Sequence, residues 1–271
     1  MSIKLVAIDL DGTLLNSQHQ ITPAVKEAVI QAKNKGVYIV LASGRPFSGI
    51  APYLKELGLD NASDYCISNN GSVIHQANDG AHLIENLLDF TDYQYFESLS
   101  NEVGVHMHAL AQNTMFTANR HISQYTVHDA YLTNTPLVYC PANEMDSSLK
   151  FTKFMMIDHP EKLTLGISYI PEDAFERYSM TQTSPYFLEI SNKTASKGAA
   201  LQLICEKLGI TPDKVMSIGD QNNDVKMLQY AKFPVAMGNA IDNVLNIAKF
   251  VTKTNNEDGV AVALDKFINQ P

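Results

Sequence analysis

Asp9 and Asp11 stand two residues apart in Asp9-Leu10-Asp11-Gly12-Thr13-Leu14, directly behind the apolar run Leu5-Val6-Ala7-Ile8. As the chain leaves extended geometry, two carboxylates at that spacing can both approach one ligand, and Gly12 permits the tight turn such an exit needs. A second acidic group, Gly219-Asp220-Gln221-Asn222-Asn223-Asp224, follows another apolar run, Val215-Met216-Ser217-Ile218. Clustered oxygen ligands suit a hard cation such as Mg2+ rather than a soft metal. Gathered in one crevice, Asp9, Asp11, Asp220 and Asp224 would repel one another strongly. A bound divalent cation removes that cost and also neutralises a phosphate dianion. Turn formation and helix N-capping is the alternative reading of Asp220 and Asp224, and it is compatible with ligation.

Positive charge and hydrogen-bond donors come from two further places. Ser43-Gly44 closes the run Val37-Tyr38-Ile39-Val40-Leu41-Ala42, where a hydroxyl and exposed backbone N–H groups can hold phosphate oxygens. Lys197-Gly198 opens a helical pattern, so the amine and the helix N-terminus would both favour an anion. A solvated surface lysine is the competing reading of Lys197.

These groups need elements that carry them to one place. The short continuous apolar runs at 5–8, 37–42, 65–68, 215–218 and 235–237 read as strands buried on both faces of a parallel sheet. Between the first two lies a helix. Thr22-Pro23 offers an N-cap and a proline at the first helical position, Val25, Ala28, Val29 and Ala32 follow at helical spacing, and Gly36 ends it. Leu201, Ile204, Cys205 and Leu208 mark another helix, ended by Gly209. Alternating elements with short connections predict a doubly wound α/β sheet, whose ligands bind at the C-terminal strand edge. The middle of the chain reads differently. Phe96, Leu99 and Val103 sit at helical spacing, and short strands are expected at 106–110, 114–117, 151–157 and 186–190. Tyr186, Leu188 and Ile190 alternate with Phe187 and Glu189, as on a sheet with one covered face. The predicted organisation is an α/β core over 1–82 and 191–271, interrupted by an α+β insertion over 83–190.

The 271 residues are 45% hydrophobic and 18% charged, a globular composition, with a net charge of −9. That acidity argues against nucleic-acid binding, which needs clustered cations. No stretch is long and apolar enough to span a membrane. Cys66, Cys140 and Cys205 form no pairing framework or metal pattern, so reduced thiols in a cytoplasmic protein are expected. His106 and His108 would share one strand face, but without a third ligand they read as surface or structural histidines. Phe154-Met155-Met156 reads as strand core.

The four pieces at 9–14, 43–45, 197 and 219–224, in this order, resemble the haloacid dehalogenase-like hydrolase superfamily. The loop between Leu14 and Thr22 is too short for a cap domain, and the insertion after the third strand matches the Cof-like branch with its large α+β cap. The stretches Ala118-Asn119-Arg120 and Asn256-Glu257-Asp258-Gly259 are also similar to bacterial sugar phosphatases of that branch. The resemblance implies a Mg2+-dependent phosphatase acting on small sugar phosphates. Asp9 would be the nucleophile that forms an aspartyl phosphate, and Asp11 the proton donor and acceptor. Mg2+ would be held by Asp9, the Asp11 backbone carbonyl and Asp220, with Asp224 acting through water. Leu10 N–H, Ser43, Gly44, Lys197 and Asn223 would hold phosphate oxygens. Arg45, Asn69, Asn70, Asn119 and Arg120 are candidates for contacting the sugar, over which the cap would close. The expected partner is that substrate alone, with no nucleic acid or membrane, in a monomer or homodimer. A phosphohexomutase could use nearly the same site, and a phosphoacceptor signalling module shares the acid pair and lysine but lacks the insertion.

Overall fold

The first segment alternates strand and helix. β1 (Leu5–Asp9) leads to α1 (Pro23–Asn34), β2 (Tyr38–Ala42), α2 (Phe47–Glu56) and β3 (Tyr65–Ser68), and two short strands follow, β4 (Val73–Gln76) and β5 (His82–Glu85). These come from a computed structural model that describes residues 2–111 and 113–269. α1 begins as its sequence predicts. The Thr22 hydroxyl accepts from the Val25 N–H, Pro23 occupies the first turn, and Val25, Ala28, Val29 and Ala32 are buried.

The chain then builds a separate unit. It contains α3 (Phe90–Val103), β6 (His106–Ala111), β7 (Thr114–Thr117), α4 (Gln124–Thr133) and β8 (Leu137–Tyr139). β9 (Lys153–Ile157), α5 (Pro160–Ser168), α6 (Glu172–Arg177), β10 (Tyr178–Ser184) and β11 (Phe187–Asn192) complete it. Its sheet runs β10-β11-β9-β6-β7-β8, antiparallel except where β8 joins β7. One face packs Met107, Ala109, Phe154, Met156, Leu188 and Ile190 against Phe96 and Leu99 of α3. The expectation of a single covered face needs correction, because Glu189 and Ser191 are buried as well. Burying Glu189 is tolerable because the Lys153 Nζ donates to its Oε2 at 2.9 Å.

α7 (Lys197–Leu208), β12 (Val215–Gly219), α8 (Val225–Tyr230), β13 (Phe233–Ala236), α9 (Asp242–Leu245), β14 (Phe250–Val251) and α10 (Gly259–Leu264) return to the first sheet. The two units comprise 1–85 with 196–271, and 86–195. The first boundary lies beyond residue 82 because β5 pairs with β4 of the large sheet. The second lies beyond residue 191 because β11 pairs with β9 and β10 of the smaller one.

The large sheet has the order β14-β13-β12-β1-β2-β3-β4-β5. It is parallel from β14 to β3 and antiparallel from there to β5. The predicted α/β doubly wound core is present, with an antiparallel edge that apolar runs alone do not announce. Asn69, Asn70 and Gly71 all have positive φ (47°, 56° and 97°) and turn the chain straight back into β4, leaving no length for a crossover helix. Val6 and Ile8 face one core layer while Leu5 and Ala7 face the other, which explains the unbroken apolar run of β1. β1 lies between β2 and β12, so strand order diverges there and the strand ends form a crevice. Burial pushes the Cys66 thiol up to about 12 and the Cys205 thiol up to about 11, and neither forms a disulfide. No described helix is long and apolar enough to cross a membrane.

Candidate active site

Asp9 is the last residue of β1 and only 5% exposed. The chain folds back at once behind it: Leu14 N–H donates to Asp9 O (3.2 Å) and Leu15 N–H to Leu10 O (2.9 Å). The buried Leu10 anchors this turn, and Gly12 completes it at φ +79°. A Cβ on Gly12 would meet Asp220 Oδ2 at 2.6 Å, so glycine also lets the two strand ends approach. Thr13 Oγ1 donates to Asp220 Oδ1 at 2.8 Å, and Gln221 Nε2 donates to Oδ2 at 3.1 Å. Neither partner was among the residues expected in the site. A threonine behind an acid–glycine turn is the one signal that pointed towards Thr13.

Lys197 is fully buried, which removes the solvated reading. Ser196 caps α7 by accepting from Ala199 N–H at 3.1 Å and thereby orients the first turn that carries the lysine. The Lys197 ammonium donates to Asp9 Oδ1 and, at 2.7 Å, to Asp224 Oδ1. Asp224 Oδ2 accepts the backbone N–H groups of Asp220 and Gln221, each at 3.0 Å. Asp224 therefore both caps the turn after β12 and holds the lysine. A Cβ on Gly219 would meet the Asp224 side chain at 2.6 Å, so that turn too requires glycine.

One oxygen each from Asp9, Asp220 and Asp224 lies within 4.8 Å of the others, the only such metal-competent group among the described residues. Burial raises the Asp9 carboxyl well above its ordinary value; Lys197 opposes this, while Asp224 and Asp220 add to it. Burial raises Asp220 as well. For Lys197, burial alone would favour loss of the proton, but Asp224 and Asp9 outweigh it and its pKa rises. Three buried carboxylates against one ammonium leave an uncompensated negative charge. Hard oxygen donors around that deficit fit a divalent cation.

Asp11 is differently placed. Arg45 holds it with a two-pronged contact, Nε to Oδ2 at 2.8 Å and Nη2 to Oδ1 at 2.6 Å. Ser43 is buried and its Oγ accepts from Arg45 N–H at 3.1 Å. Gly44 adjoins Asn70, whose Oδ1 accepts from Asn223 Nδ2 at 3.0 Å. Asn69 is buried and orientated by a chain of bonds. His75 Nδ1 faces the acceptor Gly80 O (2.9 Å), so its Nε2 accepts from Ser68 Oγ (2.8 Å), which in turn accepts from Asn69 Nδ2 (3.3 Å). That leaves Asn69 Oδ1 buried with no partner among the described residues.

Asn119 and Arg120 belong to the other unit. Asn119 Oδ1 accepts from Met107 N–H at 2.8 Å, a local structural bond, whereas Arg120 is exposed. His106 pairs with Asp158 and the buried His108 with Asp129, in keeping with structural histidines. The Asn255–Gly259 stretch acquires a local role. Asn256 bonds Ser17 twice (3.0 and 2.8 Å), Asp258 accepts from Thr22 (2.6 Å), and Asn255 donates to Leu15 O (2.9 Å). Asn239 adds a bond to Gly12 O at 2.9 Å. Together they clamp the loop behind β1.

A fold with its acids and lysine at the strand ends of a parallel sheet has recorded relatives. Residues 6–264 match the haloacid dehalogenase-like hydrolase family, and the chain belongs to it. A Streptococcus pyogenes serotype M6 protein named "Putative phosphatase" is 41% identical over 268 residues, spanning 99% of each chain. The 5-amino-6-(5-phospho-D-ribitylamino)uracil phosphatase YcsE of Bacillus subtilis is 33% identical over 270 residues, spanning 99% of this chain and 97% of its own. A solved haloacid dehalogenase-like hydrolase from Bacteroides thetaiotaomicron superposes with a TM-score of 0.86 at 30% identity, covering 98% of this chain and 99% of its own.

Proposed function

We propose that this phosphatase of the haloacid dehalogenase superfamily hydrolyses small sugar phosphates, with Mg2+ and through an aspartyl phosphate on Asp9. The observation that carries the reading is the buried Lys197 ammonium between Asp9 and Asp224. That ammonium is a fixed positive charge beside Asp9, and it would also attract the phosphate that Asp9 attacks. Phosphoryl transfer asks mainly for such positioning and charge neutralisation.

In the first step Asp9 attacks phosphorus as the bond to the leaving oxygen breaks, and Asp11 gives that oxygen a proton. In the second, Asp11 takes a proton from the water that cleaves the aspartyl phosphate, which frees inorganic phosphate and restores Asp9. Ser43, Gly44, Lys197, Asn223 and the Leu10 N–H hold phosphate oxygens in this reading. Asp9, Asp220 and the Asp11 backbone carbonyl would hold Mg2+, with Asp224 behind them, and when bound it would neutralise phosphate charge. The unit 86–195 would select the leaving group, with Asn119 and Arg120 as its candidate residues, while Asn69 and Asn70 are candidates on the core unit. Support for a polyol monoester comes from the relative YcsE, whose name specifies a phosphorylated ribityl group.

The test is a screen of phosphorylated metabolites with Mg2+, using Asp9→Asn as control. Phosphate release from several small sugar phosphates is expected, abolished by EDTA and by Asp9→Asn. Unchanged turnover in Asp9→Asn would sink the mechanism, and an isomerised sugar phosphate without free phosphate would replace it with a mutase.

A further inference from the structure

We infer that Arg45 is the positioning residue for Asp11 and not a reader of the sugar. The inference rests on the reading of Asp11 as the proton donor to the leaving oxygen. Arg45 follows Ser43-Gly44 at the end of β2, and its guanidinium meets both Asp11 carboxylate oxygens, at 2.8 and 2.6 Å. Such a fork fixes the plane of a carboxylate as well as its position, which a lysine at the same place could not do.

The fork is itself held from behind. Arg45 Cζ lies 5.6 Å from the centre of the Tyr53 ring, and Nη1 reaches the Tyr53 hydroxyl at 3.5 Å. That hydroxyl donates to His19 O at 3.4 Å, and the His19 ring stands 3.6 Å from Asp11 Oδ1. α2 packs against the same arginine: a Cβ on Gly49 would meet Arg45 Cβ at 3.3 Å. Two of the five guanidinium donors are thus spent on Asp11 and a third on Tyr53.

Asp11, by contrast, has 45% of its side chain exposed. An aspartate at that exposure has several rotamers open to it, and Arg45 selects one. For the transfer one Asp11 oxygen leaves the fork and turns to the leaving group while the other keeps its bond to Arg45, which serves as the pivot. The proton then passes to the leaving oxygen as its bond to phosphorus breaks, and the carboxylate returns to the full fork. Holding a proton donor within hydrogen-bond reach in this way belongs to the 10²–10⁴-fold that acid–base catalysis contributes.

The role predicts a dependence on the leaving group that disappears once Asp11 can no longer donate a proton, which neither a sugar contact nor a general structural role would produce. An alkyl phosphate such as a hexose 6-phosphate needs protonation of its leaving oxygen, whereas p-nitrophenyl phosphate does not. Arg45→Ala and Arg45→Lys are each compared with wild type on both substrates, alone and in an Asp11→Asn background. The expected result is that Arg45→Ala lowers kcat/KM, which reads only the steps up to the aspartyl phosphate, roughly 10- to 100-fold more on the hexose phosphate than on p-nitrophenyl phosphate. Arg45→Lys should recover only part of that selectivity. In the Asp11→Asn background, Arg45→Ala should add less than about twofold, as expected of residues acting as one unit. A raised KM for the hexose phosphate with kcat unchanged, persisting in that background, would overturn the inference and make Arg45 a sugar contact. Should Asp11→Asn alone lower kcat/KM equally on both substrates, the proton-donor reading of Asp11 fails instead.

Discussion

Lys197 and Asp224 form an ion pair at 2.7 Å in which neither side chain has any exposed surface, and the same ammonium reaches Asp9. Removing one partner of a buried pair strands the other in a medium that solvates it poorly. Lys197→Ala therefore leaves two carboxylates uncompensated. It should lower the unfolding free energy by about 3–5 kcal/mol in denaturant titrations without metal, and abolish phosphate release. Stability within about 1 kcal/mol of wild type would mean that the acids take up protons without penalty.

A divalent cation should relieve the remaining charge. Thermal unfolding of the wild type is expected to shift upward with added Mg2+, because a ligand of the folded state stabilises by mass action. Asp220→Asn should retain less than half of the shift, since its oxygen belongs to the acidic group. An unaltered shift in that variant would place the cation elsewhere.

Gly12 carries two constraints at once, φ +79° and the approach of Asp220. Gly12→Ala should cost about 1–3 kcal/mol in unfolding measurements through backbone strain. It should also lower Mg2+ affinity, because the added Cβ must displace Asp220 Oδ2. Loss of stability with Mg2+ affinity intact would mean that the turn shifts as a whole and Asp220 does not move.

Asn256 makes its two bonds to Ser17 on the exposed side of the loop behind β1. Asn256→Ala should change global stability by less than about 1 kcal/mol, as expected of solvated bonds. Faster amide hydrogen exchange over residues 12–20 is the expected signature, with turnover reduced severalfold. Exchange indistinguishable from wild type would show that Asn255, Asn239 and Asp258 hold the loop without Asn256.

His75 and His108 titrate in the same sense. Burial lowers both below 6.5, against opposing bonds to Gly80 and Asp129 respectively. The unfolded chain then binds protons that the folded protein refuses, so their contribution is complete above pH 6.5 and declines as pH falls towards the folded values. Melting temperatures should drop between pH 7.5 and 5.5, with a shallower drop in His75→Gln and His108→Gln. Variants that keep the full wild-type slope would mean that both rings are charged when folded.

The sequence by itself settled the elements that recur with a local cause. Unbroken apolar runs declare strands buried on both faces, and Thr22-Pro23 with its helical spacing declares α1. Acids and Ser43 at the ends of those runs, with Lys197 at the start of a helix, pointed to a candidate phosphate site, because type, order and placement had to agree. Pairing across the chain was invisible to such reading. That Asp224 holds Lys197, that Arg45 grips Asp11, and that Asn256 and Asp258 clamp residues 17 and 22 depends on strand order, which brings β12 and the C-terminal segment to β1. The antiparallel edge at β4 and β5 turns on positive φ at Asn69 and Asn70, values asparagine tolerates but does not announce. Burial of Lys197 and Glu189 likewise followed from the tertiary fold, since a charge enters a core only where a partner awaits it, and that partner lies far away in sequence.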